Sequence, residues 1–213
     1  MSIYLLSDTH HKGVINLPQI EPVYRDIKID LSSYEALIFS SKNAVKAINK
    51  INKNWCKIPS YAIGKQTANM IEEKGGRVEF IASSSYGDSF AREVSSKLQN
   101  KKTLFLRAKK VVSDLENILK KSGVDISSII VYETLCRQKI TLHVEDEKKV
   151  FIFTSPSTVD CFFSNYEWQK NYSAVCIGEV TARAVPLGIS LHISNTQTIE
   201  ACIELAKTII KQN

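Results

Sequence analysis

IFSSKNAVKAI (residues 38–48) and IFTSPSTVDCF (152–162) share one outline. Each leaves a short apolar run, passes through two hydroxyl residues and enters a segment with helical spacing. A second pair follows: YAIGKQTANMI (61–71) and VCIGEVTARAV (175–185). Ser41 and Ser155, Gly64 and Gly178, and Thr67 and Thr181 are each 114 positions apart (155 − 41, 178 − 64, 181 − 67). Two motifs held at one offset point to an internally duplicated unit that reads strand, hydroxyl turn, helix, strand, Ile-Gly-x-x-Thr-Ala, helix, the alternative being convergence of generic α/β turns.

The surrounding pattern has the same character. Apolar strand candidates fall at 2–6, 36–40, 59–63, 77–81, 103–107, 127–132, 150–154, 173–177 and 190–193. They are rich in Ile, Val, Phe and Tyr and do not alternate cleanly, which suits strands buried on both faces. Amphipathic stretches lie between them. In 42–55, Ala44, Ile48, Ile51 and Trp55 share a face, as do Ile199, Cys202, Leu205 and Ile209 in 197–211. Strands alternating with helices predict an α/β fold built on parallel sheets. The first strand has no partner nearby in sequence, so the two similar domains need not be consecutive. Pro22-Val23-Tyr24 and Val131-Tyr132-Glu133-Thr134 are candidate crossings, and the polar segment 137–149 is a connection.

The bulk numbers exclude several classes. With 213 residues, 44% hydrophobic and 23% charged, the chain has an ordinary globular composition. No apolar run approaches the roughly 20 residues of a membrane span. The opening MSIYLLSD reads as a first strand and not as a secretory leader, which predicts a cytoplasmic protein. The five cysteines are scattered without a C-x-x-C pair, and read as reduced, buried residues. The net charge of +6 favours anionic partners, but the basic residues are dispersed and make no nucleic-acid stripe.

LLSDTHH (5–11) has the Asp-x-His opening of metallophosphoesterases, yet no G-N-H-[DE] motif follows, and His143 and His192 lack a G-H-x-H context. No P-loop, nucleophile elbow or dinucleotide fingerprint occurs. The chemistry is therefore expected to need no cofactor.

A hydroxyl residue where a strand meets a helix is a natural N-cap. The same geometry offers unpaired N–H groups and the positive end of a helix to a carboxylate or phosphate. Ser40, Ser41, Gly64 and Thr67, with Thr154, Ser155, Gly178 and Thr181, thus form two sets of anion cradles at strand C-termini. The glycines permit close backbone approach. Such a pair of cradles suits a ligand with many negative groups.

IFSSKNAV (38–45), AIGKQTA (62–68), LFLRAKK (104–110), VYET (131–134), IFTSPSTV (152–159) and IGEVTARA (177–184) together resemble the uroporphyrinogen-III synthase family, in its order and over nearly the whole chain. The resemblance implies two α/β domains joined by a two-stranded β-linker with the active site in the cleft between them. The domains would be 1–22 plus 136–213, discontinuous, and 23–135.

It further implies a reaction without metal or organic cofactor, and a monomer is expected because a two-strand linker carries few contacts. Its substrate would be linear hydroxymethylbilane, and the upstream hydroxymethylbilane synthase would be a transient partner. Neither nucleic acid nor membrane is expected. The reaction loses water, inverts ring D through a spirocyclic intermediate and gives the type III isomer. Tyr132 matches the family's cleft tyrosine, as a hydrogen-bond donor or weak acid toward the departing hydroxide. Ser41, Asn43, Thr67, Ser155 and Thr181 match its carboxylate-binding positions.

The sequence departs from the family in two places. The segment between strand 2–6 and Pro22 is too short for the usual helix. In LFLRAKKVVSDL a usual glycine is replaced near Lys109 and a usual basic residue is Ser113, so Arg107, Lys109 and Lys110 are expected to supply charge instead. The rival reading is a non-catalytic two-domain module that binds a polyanionic small molecule.

Overall fold

The chain folds, in a computed structural model that describes residues 2–83, 87–111, 113–139 and 148–212, as alternating strands and helices. From the N-terminus these are β1 (Ser2–Leu5), β2 (Ile15–Asn16), β3 (Ile20–Tyr24), β4 (Ala36–Phe39), α1 (Lys42–Ile51), β5 (Ser60–Ala62), α2 (Lys65–Glu73), β6 (Val78–Ile81) and α3 (Gly87–Val94). They continue with β7 (Thr103–Ala108), α4 (Leu115–Lys121), β8 (Ile126–Cys136), β9 (Lys149–Phe153), α5 (Pro156–Asn165), β10 (Tyr172–Cys176), α6 (Glu179–Ala182), β11 (Leu191–Ile193) and α7 (Ile199–Gln212). Part of the connection expected at 137–149, residues 140–147 with His143, lies outside the described residues. No helix among the described residues is long and apolar enough to cross a membrane.

The α/β class holds, and the chain divides into two compact units, residues 1–21 with 135–213 and residues 22–134. The first unit contains a five-stranded sheet in the order β11-β10-β9-β1-β2, parallel throughout. Contrary to expectation the N-terminal strand has a partner nearby in sequence, β2, with Tyr4 opposite Ile15; its other partner lies far along the chain, where Ser2 pairs with Lys149 and Leu5 with Ile152. The second sheet runs β3-β8-β7-β4-β5-β6, and β8-β7-β4-β5-β6 is parallel. The unit boundaries at 21/22 and 134/135 fall inside β3 and β8.

Each sheet is covered on both faces, as its unbroken apolar strands require. Leu37 and Phe39 pack under α1 and α2 with Ala44, Ile48 and Ile71, whereas Ala36 and Ile38 point the other way, toward Phe90, Leu115 and Leu119 of α3 and α4. In the first unit, Phe151 and Phe153 meet Val159 and Phe162 of α5. Val150 and Ile152 meet Cys202 and Ala206 of α7. Trp168 joins an aromatic cluster there, with ring centroids 5.7 Å from Phe151 and 5.6 Å from Tyr172.

Two expectations need correction. The helix read over 42–55 stops at Ile51, because Asn52 is extended. Its amide accepts from the Asn54 N–H at 3.0 Å and donates to the Ile29 carbonyl at 3.0 Å, a local alternative to helical hydrogen bonding. Residues 53–57 form a tighter 3-10 turn that still delivers Trp55, fully buried, edge-on to Phe39.

Nor are all five cysteines reduced. Cys136, exposed at the end of β8, is bonded to buried Cys161 of α5. Cys56 is half-buried and free. Cys176 and Cys202 are free and buried, and loss of hydration pushes the Cys176 thiol up to about 12.

Candidate active site

In the second sheet β4 stands first in the parallel set. The chain then adds β5 and β6 on one side and β7 and β8 on the other. The order therefore reverses between β4 and β7, and in open α/β sheets the crevice at the strand C-termini beside that reversal is the ligand position. The residues leaving β4 there are Ser40 and Ser41, and those at the end of β7 are Arg107 to Lys109.

Ser41 is the N-cap of α1. Its backbone is extended, and its Oγ accepts from the N–H groups of Asn43 at 3.1 Å and Ala44 at 3.3 Å. The same Oγ lies 2.7 Å from the Tyr132 hydroxyl. Tyr132 sits on β8 in register with Ala108 of β7 and is only 6% exposed. Burial pushes its phenol above the ordinary tyrosine value, and the hydrogen bond with Ser41 opposes part of that rise. The backbone holds it in place, since the Lys109 N–H donates to the Tyr132 carbonyl at 2.9 Å.

The basic residues beside this pair already have partners. Lys109 Nζ lies 2.8 Å from Glu133, and its hydrogen bond and charge hold that carboxyl below the usual range. Arg107 donates to the Ser128 hydroxyl at 3.2 Å and the Ala108 carbonyl at 3.1 Å, and stands 4.0 Å from Glu116. Burial works to raise the Glu116 carboxyl, but hydrogen bonds with Lys120 and Ser128 and the charges of Lys120 and Arg107 leave it lowered. Glu133 and Glu116 were not among the residues expected at the site. Glu133 stands in the quoted VYET motif, whereas nothing in the sequence links Glu116 to Arg107.

Next along the edge, Gly64 precedes α2 with φ 80° and ψ 151°, a region open essentially to glycine alone. Its carbonyl accepts from the N–H groups of Thr67 at 3.2 Å and Ala68 at 3.3 Å, and Thr67 is buried.

The first unit places its cradle residues in the same elements. Thr154 and Ser155 follow β9, and Gly178 and Thr181 follow β10. Ser155 caps α5 through a closed box: its Oγ accepts from the Thr158 N–H at 3.3 Å, while Thr158 Oγ1 accepts from the Ser155 N–H at 3.2 Å and donates to its carbonyl at 2.6 Å. The Gly178 carbonyl accepts from the N–H groups of Thr181 and Ala182, both at 3.1 Å. Gly178 is extended, a conformation any residue can adopt, so space and not φ is the constraint. A Cβ there would come 3.0 Å from the Gln197 amide nitrogen. Gln197 is a neighbour of the cradle that no motif announced.

The structure thus gathers Ser40, Ser41, Asn43, Gly64, Thr67, Arg107, Lys109 and Tyr132 along one sheet edge, and Thr154, Ser155, Gly178 and Thr181 along the other.

Residues 11–204 match the family model described as uroporphyrinogen-III synthase HemD. The chain belongs to the uroporphyrinogen-III synthase family. It is 31% identical to uroporphyrinogen-III synthetase from Helicobacter pylori, over 98% of this chain and 99% of that one, with a TM-score of 0.84. A mutant uroporphyrinogen III synthase from the extremely thermophilic bacterium Thermus thermophilus is 14% identical over 100% of this chain and 99% of that one, with a TM-score of 0.61, and shares the fold. A search of curated proteins gives no match. The family's activity, a cyclising lyase step of haem biosynthesis on a linear tetrapyrrole, is the activity of this chain.

Proposed function

We propose that Tyr132 is the acid of this cyclisation and that the two cradle sets hold the acetate and propionate groups of hydroxymethylbilane. The observation that carries this reading is a buried phenol hydrogen-bonded to a helix cap beside the reversal of strand order. A neutral phenol at physiological pH has a proton to give. Hydroxide is a poor leaving group, and a donor at its oxygen lowers the barrier to departure. The azafulvene cation that forms is then attacked by the substituted carbon of ring D. The spirocyclic intermediate fragments and recloses as the type III isomer. Because unassisted closure gives the type I isomer, most of the protein's work is orientation.

In this reading the hydroxyls of Ser40, Thr67, Thr154, Ser155 and Thr181, the side-chain amide of Asn43 and the backbone N–H groups of Gly64 and Gly178 are the donors to carboxylates. Ser41 belongs to the same turn. Lys109, whose side chain is 60% exposed, exchanges Glu133 for substrate, and Arg107 adds positive field from behind. The finer organisation is part of the proposal: a duplicated α/β domain, a two-stranded β-linker made by β3 and β8, and a substrate held by both domains. So are a monomeric state, a cofactor-free reaction and a cytoplasmic location. What supports the duplication is the shared offset of 114 positions and the matching placement of the two turns.

The test is a coupled assay. Hydroxymethylbilane is generated in place by its synthase, this protein is added, and the oxidised uroporphyrins are separated by isomer. Predominantly type III product is expected. Type I product alone, at the rate of the protein-free control, would leave only a binding module. Tyr132→Phe is expected to lower kcat by roughly 10²-fold without abolishing type III product.

A further inference from the structure

We propose that Ser41 is a positioning residue that donates its hydroxyl hydrogen to the Tyr132 oxygen, so that the phenol O–H is aimed away from the helix cap and toward the substrate. The inference rests on the reading of Tyr132 as the acid.

A serine hydroxyl has one hydrogen to give and two lone pairs to receive with. Backbone N–H groups can only donate, and two of them, from Asn43 and Ala44, point at Ser41 Oγ at 3.1 and 3.3 Å. The Ala44 hydrogen is shared with the Ser41 carbonyl at 3.2 Å, so one lone pair is fully engaged and the second in part. The third contact, 2.7 Å to the Tyr132 hydroxyl, is left to the serine hydrogen. Were Tyr132 the donor, three hydrogens would crowd the two lone pairs of Ser41 Oγ, and its own would face no acceptor among the described residues. The start of α1 thus fixes the direction of a bond on β8, and the phenol keeps its proton for another acceptor.

The same direction serves the chemistry. As the C–O bond of the terminal hydroxymethyl group breaks, its electron pair stays on oxygen. That oxygen takes the Tyr132 proton and leaves as water, giving an azafulvene cation and a phenolate. The Ser41 hydrogen already faces the phenolate oxygen, and a donor to an anion is worth more than one to a neutral group. The proton lost when ring D recovers its aromaticity restores the phenol, so the cycle closes without a co-reactant.

Three variants separate donation from capping. Ser41→Thr keeps both cap and donor, Ser41→Asp keeps the acceptor of the cap but has no hydrogen to give, and Ser41→Ala removes both. Expected results are kcat near wild type for Ser41→Thr and about 10-fold lower for Ser41→Asp and Ser41→Ala, with KM little changed. The melting temperature should fall only for Ser41→Ala.

A second readout does not need activity. The near-ultraviolet absorbance of tyrosinate is titrated, with Tyr132→Phe as the blank for the other tyrosines. In Ser41→Ala the Tyr132 ionisation should move to higher pH, because the phenolate has lost its donor. An unmoved ionisation, or wild-type kcat in Ser41→Asp, overturns the proposal. If instead the ionisation moves as expected but Tyr132→Phe keeps full kcat, Ser41 as donor to the phenolate stands and the acid role of Tyr132 is what fails.

Discussion

The turns after β4 and β9 start from nearly the same letters and end in different structures. At Ser155 the hydroxyl residues close on one another: Ser155 and Thr158 form a reciprocal box, and Pro156 stands at the first helical position. The helix that follows is tied again by the Cys136–Cys161 disulfide. At Ser41 residue 44 is alanine, so no box can form, and the serine oxygen caps two N–H groups while its remaining contact reaches Tyr132 on another strand. One turn closes its capping bonds within itself. The other leaves one polar contact for a partner elsewhere. Thr158 against Ala44 thus decides whether a reciprocal box can form, and with it whether the serine is left a contact on another strand.

Four measurements test whether the two turns differ in this way. Removing the disulfide should have the largest effect. Cys136→Ser, or a reducing agent, releases a loop of 25 residues, which chain entropy values at about 3 kcal/mol. Hydrogen exchange should show the loss in residues 135–213 and leave 22–134 protected. An equal loss in both would mean that the tether is not local to the Ser155 side.

Gly64→Ala comes next, at about 2 kcal/mol by denaturant unfolding, because its backbone lies where side chains are strained. Gly178→Ala should instead be relieved by Gln197→Ala in a double-mutant cycle, since crowding and not φ is its difficulty. A Gly64→Ala cost that Gln197→Ala also relieves would show that the two glycines do not differ as described.

Ser155→Ala should cost about 1 kcal/mol of stability from the lost cap. In steady-state kinetics it should raise KM and leave kcat near its normal value, whereas Ser41→Ala lowers kcat. The reverse assignment would invert the comparison.

The smallest effect is alkaline. Burial raises the phenols of Tyr132 and Tyr172, one in each unit, above the ordinary value of 10.0. Each binds its proton more tightly folded than unfolded. The stability they contribute is complete below that value and is lost as pH rises through the folded pKa. The alkaline unfolding midpoint should therefore rise modestly in Tyr132→Phe.

Much of this was legible in the letters, and what was not has identifiable causes. Strands such as 36–39 and 149–153 announced themselves because both faces are buried and the runs are unbroken. β3 did not, since Pro22 interrupts Ile20-Glu21-Pro22-Val23-Tyr24 and a proline argues against a central strand. It is tolerated because β3 is the edge strand of its sheet. β2 is two residues long and has no pattern to detect. At the site, a hydroxyl at a strand exit was readable as a cap or a cradle, but its partners were not. That Ser41 meets Tyr132, 91 positions away, follows from strand order, and strand order is a tertiary fact. The charges of Arg107 and Lys109 were visible, while their pairing with Glu116 and Glu133 depended on α4 and β8 arriving beside β7. The disulfide was hidden for the same reason, because its two cysteines carry no spacing motif.

The chain has two tryptophans, and they fall one in each unit: Trp55 beneath the second sheet and Trp168 in the aromatic cluster of the first. Each is a built-in fluorophore for its own half. With Trp168→Phe the emission reports only the half that carries Ser41 and Tyr132, and with Trp55→Phe only the half that carries Ser155 and the disulfide. The melting of each half, and its response to ligand, becomes a separate optical signal without any label.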